Sequence, residues 1–155
     1  MATHIEQIEA LKALLETLPV LNSTDPVKSN VYIGARKITD LNKRTMPAAI
    51  IEIGDNFTDP SKSQVLDRVS NFPVIIGLCV YETGLEDQII ESGGILDVYE
   101  KVRNLLLNSP NISNTCDQFN FTNIKHEFNA GDAFDIRAIY LTLNLITWYK
   151  RPFSS

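Results

Sequence analysis

Few residues in this chain have the types and spacing that chemistry requires. There are two histidines, His4 and His126, and two cysteines, Cys79 and Cys116. A metal site needs convergent His, Cys or carboxylate ligands. Neither histidine belongs to an H-x-x-x-H pair and the cysteines form no C-x-x-C, so both histidines read as surface or packing residues. Nucleophilic catalysis needs Ser or Cys beside a base, and no G-x-S-x-G elbow is present. Cys79 lies inside an apolar run, where a thiol usually behaves as a small buried hydrophobe. Cys116 lies in a loop and is open to reaction, but no neighbour marks it as activated. Glu91-Ser-Gly-Gly94 resembles a phosphate loop only superficially, since G-x-x-x-x-G-K and G-x-G-x-x-G are both absent. The four acids between Glu82 and Glu91 would repel phosphate. Carboxylates pair along the chain at Asp55/Asp59 and Glu86/Asp87, yet nothing sets them across a cleft as a general acid and base. The expectation is a non-enzyme with no catalytic residue, metal or cofactor.

What does segregate is charge. Lys28, Arg36, Lys37, Lys43 and Arg44 make residues 28–44 basic, opposed only by Asp40, while residues 82–91 carry Glu82, Glu86, Asp87 and Glu91. One reading is a solvated loop and a solvated helix start. The other sets copies side by side, basic loop against acidic patch, as in a heterologous ring. On that reading the candidate subunit or partner interface comprises Arg36, Lys37, Lys43, Arg44, Glu82, Glu86 and Asp87, with Lys62 and Arg68 in a second long loop. Reversing Arg36 and Lys37 to Glu then weakens self-association.

These residues are positioned by a readable series of elements. Thr3 and Glu6 have capping-box spacing, and Ile5, Ile8, Leu11, Leu15 and Leu18 recur at helical spacing up to Pro19. Residues 22–45 are polar, with one β-prone piece at Val31-Tyr-Ile33. Met46–Ile53 reads as a strand opened by Pro47. Residues 55–71 form a second long polar connection, and loops of such length are usually functional or mobile. Phe72–Tyr81 is nearly all apolar and belongs in the middle of a sheet. A second helix follows. Thr83 and Glu86 again have capping-box spacing, Ser92 offers a later start, and Gly93-Gly94 either kinks the helix or precedes it. Ile95, Val98, Tyr99, Val102, Leu105 and Leu106 give its buried face, and Pro110 bars continuation. Phe119, Phe121, Ile124, His126 and Phe128 suggest a strand that changes register midway, and Asn129–Asp132 a hairpin connection. In the last strand Ile139, Leu141, Leu143 and Leu145 alternate with Tyr140, Thr142, Asn144 and Trp148. The expected fold is α+β: a mainly antiparallel sheet of four to five strands with two helices on one face, in the order α-β-β-β-α-β-β. Leu11, Leu15, Ile51, Ile75, Val102 and Leu143 are its expected core.

The chain has 155 residues, 44% hydrophobic and 21% charged, which is ordinary globular composition, and it is expected to form one domain over residues 1–155. Its net charge of −5 lacks the footprint of a protein that grips DNA or anionic lipid. No apolar run approaches the roughly 20 residues that span a bilayer. Met1–Glu6 is polar and acidic where a signal peptide is basic and then apolar. Synthesis in the cytosol with reduced thiols is therefore expected, and the Asn-x-Ser/Thr triplets at Asn22, Asn56, Asn111 and Asn120 are chance matches.

Across nearly its whole length the sequence resembles the tail terminator (tail completion) proteins of long-tailed bacteriophages. The resemblance rests on the order of the opening helix Thr3–Leu18, the strand Pro47-Ala-Ala-Ile-Ile-Glu-Ile53, a long polar loop, the central strand Phe72–Tyr81, the helix from Gly94 to Leu107 and the alternating strand Ile136–Trp148. The family has no diagnostic short motif, and the basic stretch Arg36–Arg44 matches no family feature. The resemblance implies a virion protein of the tail neck, assembled in the host cytoplasm. It implies a homohexameric ring at the head-proximal end of the tail, which stops growth of the tube, or of the sheath in a contractile tail, and meets the head–tail connector. DNA passes through the channel without specific binding, for which a non-basic lumen is suited. No membrane is involved. The loops at 22–45 and 55–71 are the expected contacts with neighbouring subunits or the tube. Competing readings are another neck or tube protein, a small enzyme, or a ligand-binding module.

Overall fold

A computed structural model describes residues 2–24, 27–34, 45–55, 68–82, 87–129 and 135–149. It is an α+β fold in which two helices cover one face of a five-stranded mixed sheet. The helices are α1 (His4–Leu15) and α2 (Ile95–Leu107). The strands are β1 (Asn22–Thr24), β2 (Val27–Ser29), β3 (Val31–Ile33), β4 (Ala48–Ile53), β5 (Arg68–Tyr81), β6 (Gln118–Phe128) and β7 (Ile136–Tyr149). The sheet runs β3-β4-β5-β7-β6, and β1 and β2 form a separate antiparallel pair.

The capping box at the start of α1 is complete: Glu6 N–H donates to Thr3 Oγ1 at 3.1 Å, and Thr3 N–H to Glu6 Oε1 at 3.4 Å. The helix ends at Leu15, short of Pro19, and a 3₁₀ turn at Pro19–Leu21 follows. Asn22 Nδ2 donates to the carbonyls of Glu16 and Leu18, at 3.0 Å each, satisfying acceptors that a helix end leaves open. The inward face of α1 also differs from the apolar spacing. Gln7, Leu11 and Leu15 are buried, whereas Ile5 is 71% exposed. Gln7 Nε2 donates to Thr115 O (2.9 Å) and Thr147 Oγ1 (3.2 Å), and the His4 ring stacks on Phe72 at 4.2 Å. A polar side chain with buried partners thus outcompetes an isoleucine for the inward position.

Strands β4 to β7 pair antiparallel, but β3 runs parallel to β4, with Val31, Tyr32 and Ile33 opposite Ala49, Ile50 and Ile51. The sheet is thus mainly antiparallel, as expected, with one parallel pair whose strands are separated by residues 34–47, enough chain for the crossover such a pair needs. β5 begins at Arg68, so residues 68–71 belong to a strand and not to the second expected loop; residues 56–67 lie outside the described residues. The first is not simply a loop, because it contains β1, β2 and β3. Asn30, 2% exposed, anchors it: its side chain donates to Pro47 O (3.2 Å), and its carbonyl accepts from Ala49 N–H (3.0 Å). β6 has the expected register change, between Phe121 and Asn123.

Gly94 settles the start of α2. It precedes the helix as its N-cap, and a Cβ there would collide with the carbonyl oxygen of Gln88. Thr83 and Glu86 lie outside the described residues. In place of an N-cap side chain, Asp97 Oδ2 reaches back to Gly93 N–H at 2.8 Å.

Period-2 alternation sorts the sheet into two faces. Toward the helices point Phe72, Val74, Ile76 and Leu78 of β5 and Ile139, Leu141, Leu143 and Leu145 of β7, packed with Leu11, Leu15, Val98, Val102 and Leu106. Ile75 belongs to the other phase and is only half-buried, so it is not in this core; a continuous apolar run carries no phase to reveal that. On the helix-free face Ala48, Ile50, Cys79, Ile136 and Ala138 cluster with Tyr32, Met46 and Tyr140.

Candidate interaction surfaces

The residues with chemical potential are largely spent on structure. Cys79 and Cys116 are free and buried. Desolvation, with Glu127 adding, pushes the Cys79 thiol up to about 12; desolvation, with Asp117 adding, pushes Cys116 up to about 11. Neither is an activated nucleophile. Cys116, expected in an open loop, is 7% exposed and belongs to the main core. His4 Nδ1 lies 2.9 Å from Gln7 Oε1. Among the described residues no group of three His, Cys, Asp or Glu side chains could hold a metal ion, and no helix is long and apolar enough to cross a membrane.

Of the charged candidates, Arg36, Lys37, Lys43, Arg44, Lys62 and Glu86 lie outside the described residues. Arg68 opens β5, its backbone opposite Tyr149. Asp87 is exposed, with a left-handed φ of 65°. Glu82 is different: it is 5% exposed, and its carboxylate takes both Nε and Nη2 of Arg137 (Nη2 to Oε1, 2.8 Å). Glu82 is therefore engaged within its own chain rather than presented to a neighbour. The guanidinium lies 4.6 Å from the Phe128 ring centroid, and its Nη1 is 2.8 Å from His126 Nε2. Because arginine only donates, His126 Nε2 accepts there. Glu82 N–H donates to Asp135 O at 2.6 Å. This four-residue cluster fastens the ends of β5, β6 and β7 together.

Two unlike surfaces remain at opposite edges of the sheet. At the β3 edge a groove of about 310 Å³ runs between α1 and the strands, lined by Ile5, Ile8, Ile33, Ile51, Ile53 and Phe72, with His4, Glu9, Gly34 and Glu52 around them. Ile5, Ile33 and Ile53 are 71%, 51% and 52% exposed, so the groove is an open apolar channel and not a closed core. It exists because α1 turns His4 and Gln7 inward and leaves Ile5 and Ile8 beside the sheet edge. At the other edge β6 pairs with β7 alone among the described strands. Most of its eleven side chains are exposed on both faces, Ile124 and Phe128 among them. Next to that edge Trp148 is 49% exposed, with its backbone N–H donating to Asp117 Oδ2 at 2.6 Å.

Sequence reasoning missed the groove because Ile5, Ile33 and Ile53 have the spacing of core residues. Their place at element ends beside long polar stretches was the available sign. Trp148 was more legible, as an aromatic on the polar side of an alternating strand.

No protein-family model matches the chain, and no curated protein matches it. Among solved structures, it is similar to a chain of the virion of a native gene transfer agent particle, at 14% identity and a TM-score of 0.37. The overlap covers 94% of this chain and 91% of that one, without close superposition.

Proposed function

We propose that this chain is a structural virion protein of the tail terminator kind. In this reading it forms a hexameric ring at the head-proximal end of a phage tail, ends growth of the tube or sheath, and joins the tail to the capsid connector. The observation that carries the proposal is the pair of unlike exposed surfaces at opposite edges of one sheet: the apolar groove beside β3 and the long outer strand β6. Surfaces that differ and face away from one another favour a head-to-tail contact, which closes into a ring when the rotation between copies permits. The elements on which the resemblance rests, an opening helix, a Pro-Ala strand, a central apolar strand, a second helix and a final alternating strand, are the reason for this reading. With a net charge of −5, a channel lined by this chain would let DNA slide without adhering.

Residues 35–44 and 56–67 are the proposed contacts with neighbours and the tube, with Arg36, Lys37, Lys43, Arg44 and Lys62 as charged contributors. Deleting residues 58–66 should leave the thermal unfolding transition in place and abolish capping of tail tubes in an assembly extract. Correctly terminated tails from that deletion would contradict the assignment. Open-ended tubes formed by the pure chain would make it a tube protein instead.

A further inference from the structure

The groove beside β3 has a chemically matched occupant in the same sequence. Residues 150–155, Lys150-Arg151-Pro152-Phe153-Ser154-Ser155, follow β7 directly. They set two adjacent cations beside a proline and a phenylalanine. The groove offers the complement: an apolar floor of Ile5, Ile8, Ile33, Ile51, Ile53 and Phe72, with the carboxylates of Glu9 and Glu52 at its sides. Among the described residues neither carboxylate is in an ion pair; the pairs are Lys12–Glu16, Lys101–Asp97 and Arg137–Glu82. A volume of about 310 Å³ is of the order that one aromatic side chain and a proline ring fill. Proline fixes an extended or turn backbone before the aromatic and so lowers the entropy lost on docking.

Geometry decides which copy supplies the segment. Tyr149 stands opposite Arg68, six residues along β5 from Val74, the partner of Ile53 in the groove, a distance of about 20 Å. The groove lies two strand spacings to the side of β7, roughly 10 Å, so the straight separation is about 22 Å. Phe153, four residues past Tyr149, reaches about 13–14 Å along the backbone and, with its ring, about 20 Å in all. Moreover α1 stands across that line: Gln7 on one flank bonds Thr147 and Thr115, while Ile5, Ile8 and Glu9 on the other flank line the groove. Passing around a helix roughly 10 Å across puts the groove beyond the reach of the chain's own Phe153.

We propose that residues 150–155 of one copy dock in the α1–β3/β4 groove of the next copy, Phe153 among the isoleucines and Lys150 and Arg151 against Glu9 and Glu52. This deepens the ring reading and rests on it. Head-to-tail packing turns the β7/β6 side of one copy toward the β3 side of its neighbour, which delivers the segment from β7 to the groove. Trp148, exposed just before the segment, adds an aromatic anchor of the kind that dominates interfaces.

The test uses the full chain, its variants, and a labelled peptide of residues 149–155. If the wild-type chain assembles, Phe153→Ala and the pair Lys150→Glu/Arg151→Glu should each lower its native mass to that of the monomer. Combining the latter with Glu9→Lys/Glu52→Lys should restore assembly. The peptide should bind the full-length Phe153→Ala chain, and Ile53→Glu in that chain should weaken binding at least tenfold; Ile53 is exposed, so this change spares the core. Unchanged native mass in Phe153→Ala overturns the proposal and leaves the ring reading standing. If the wild-type chain does not assemble, the peptide decides alone: no binding up to about 1 mM overturns the proposal. That is also the result expected if residues 35–44 or 56–67 of the same chain fill the groove.

Discussion

At Cys79 burial and pH are linked. Its thiol and that of Cys116 are raised to about 12 and about 11 from an ordinary value near 9, because the folded chain offers the thiolate no solvation. Below pH 9 both groups are neutral folded and unfolded, so their contribution to stability is complete. As pH rises further the unfolded chain loses these protons first, and stability falls until the folded thiols ionise as well. Chemical denaturation at pH 7 and pH 10 should show this loss, and Cys79→Ala should flatten it. Native protein at pH 7.5 should likewise leave a thiol reagent unreacted until denaturant is added. Two further residues test the accounting of polar groups. Ser70 is 1% exposed and its Oγ has no hydrogen-bond partner among the described residues, so Ser70→Ala should be neutral or stabilise by about 1 kcal/mol in the urea midpoint. Arg137→Met should instead cost about 3 kcal/mol, since it strands the Glu82 carboxylate at a buried site, and the double change Arg137→Met/Glu82→Leu should recover most of that loss.

The elements vary in how much of them the residues declare. The capping box of α1, the register change in β6 and the alternation of β7 could be read directly, because each depends on residues within a few positions of one another. The turning of α1 could not: Gln7 faces inward only because Thr115 and Thr147, more than a hundred positions away, supply its partners. The parallel β3–β4 pair was hidden for the same reason, since a three-residue strand has no pattern that reports direction. Part of the candidate site shared this fate. The charge segregation was visible, yet Glu82 is bound by a distant Arg137, and the groove arises from isoleucines whose spacing looks like core. Gly94 offers a direct check at this scale. Any Cβ there meets the Gln88 carbonyl, so Gly94→Ala should move the entry to α2 and lower the thermal midpoint by several degrees, equivalent to about 1–2 kcal/mol. Gly93→Ala meets no atom within 4 Å and is strained only through its φ of +81°, so it should cost less.

For the whole molecule the question is what the two open edges meet. Among the described strands β6, eleven residues long and without proline, has a neighbour on one side only, and natural proteins seldom leave such an edge uncovered, because unpaired backbone groups recruit other chains. The groove at the opposite edge exposes three isoleucines where a lone monomer would gain nothing from them. Copies arranged head to tail would cover both features at once, and six copies in a closed ring would leave no edge free. The most direct measurement is the native mass of the pure chain, with electron micrographs of the same sample. Closed rings at six times the chain mass of 17.4 kDa are expected, either alone or on addition of tail tubes. A chain that stays monomeric both alone and in the presence of tubes, leaving tube ends bare, would contradict that expectation.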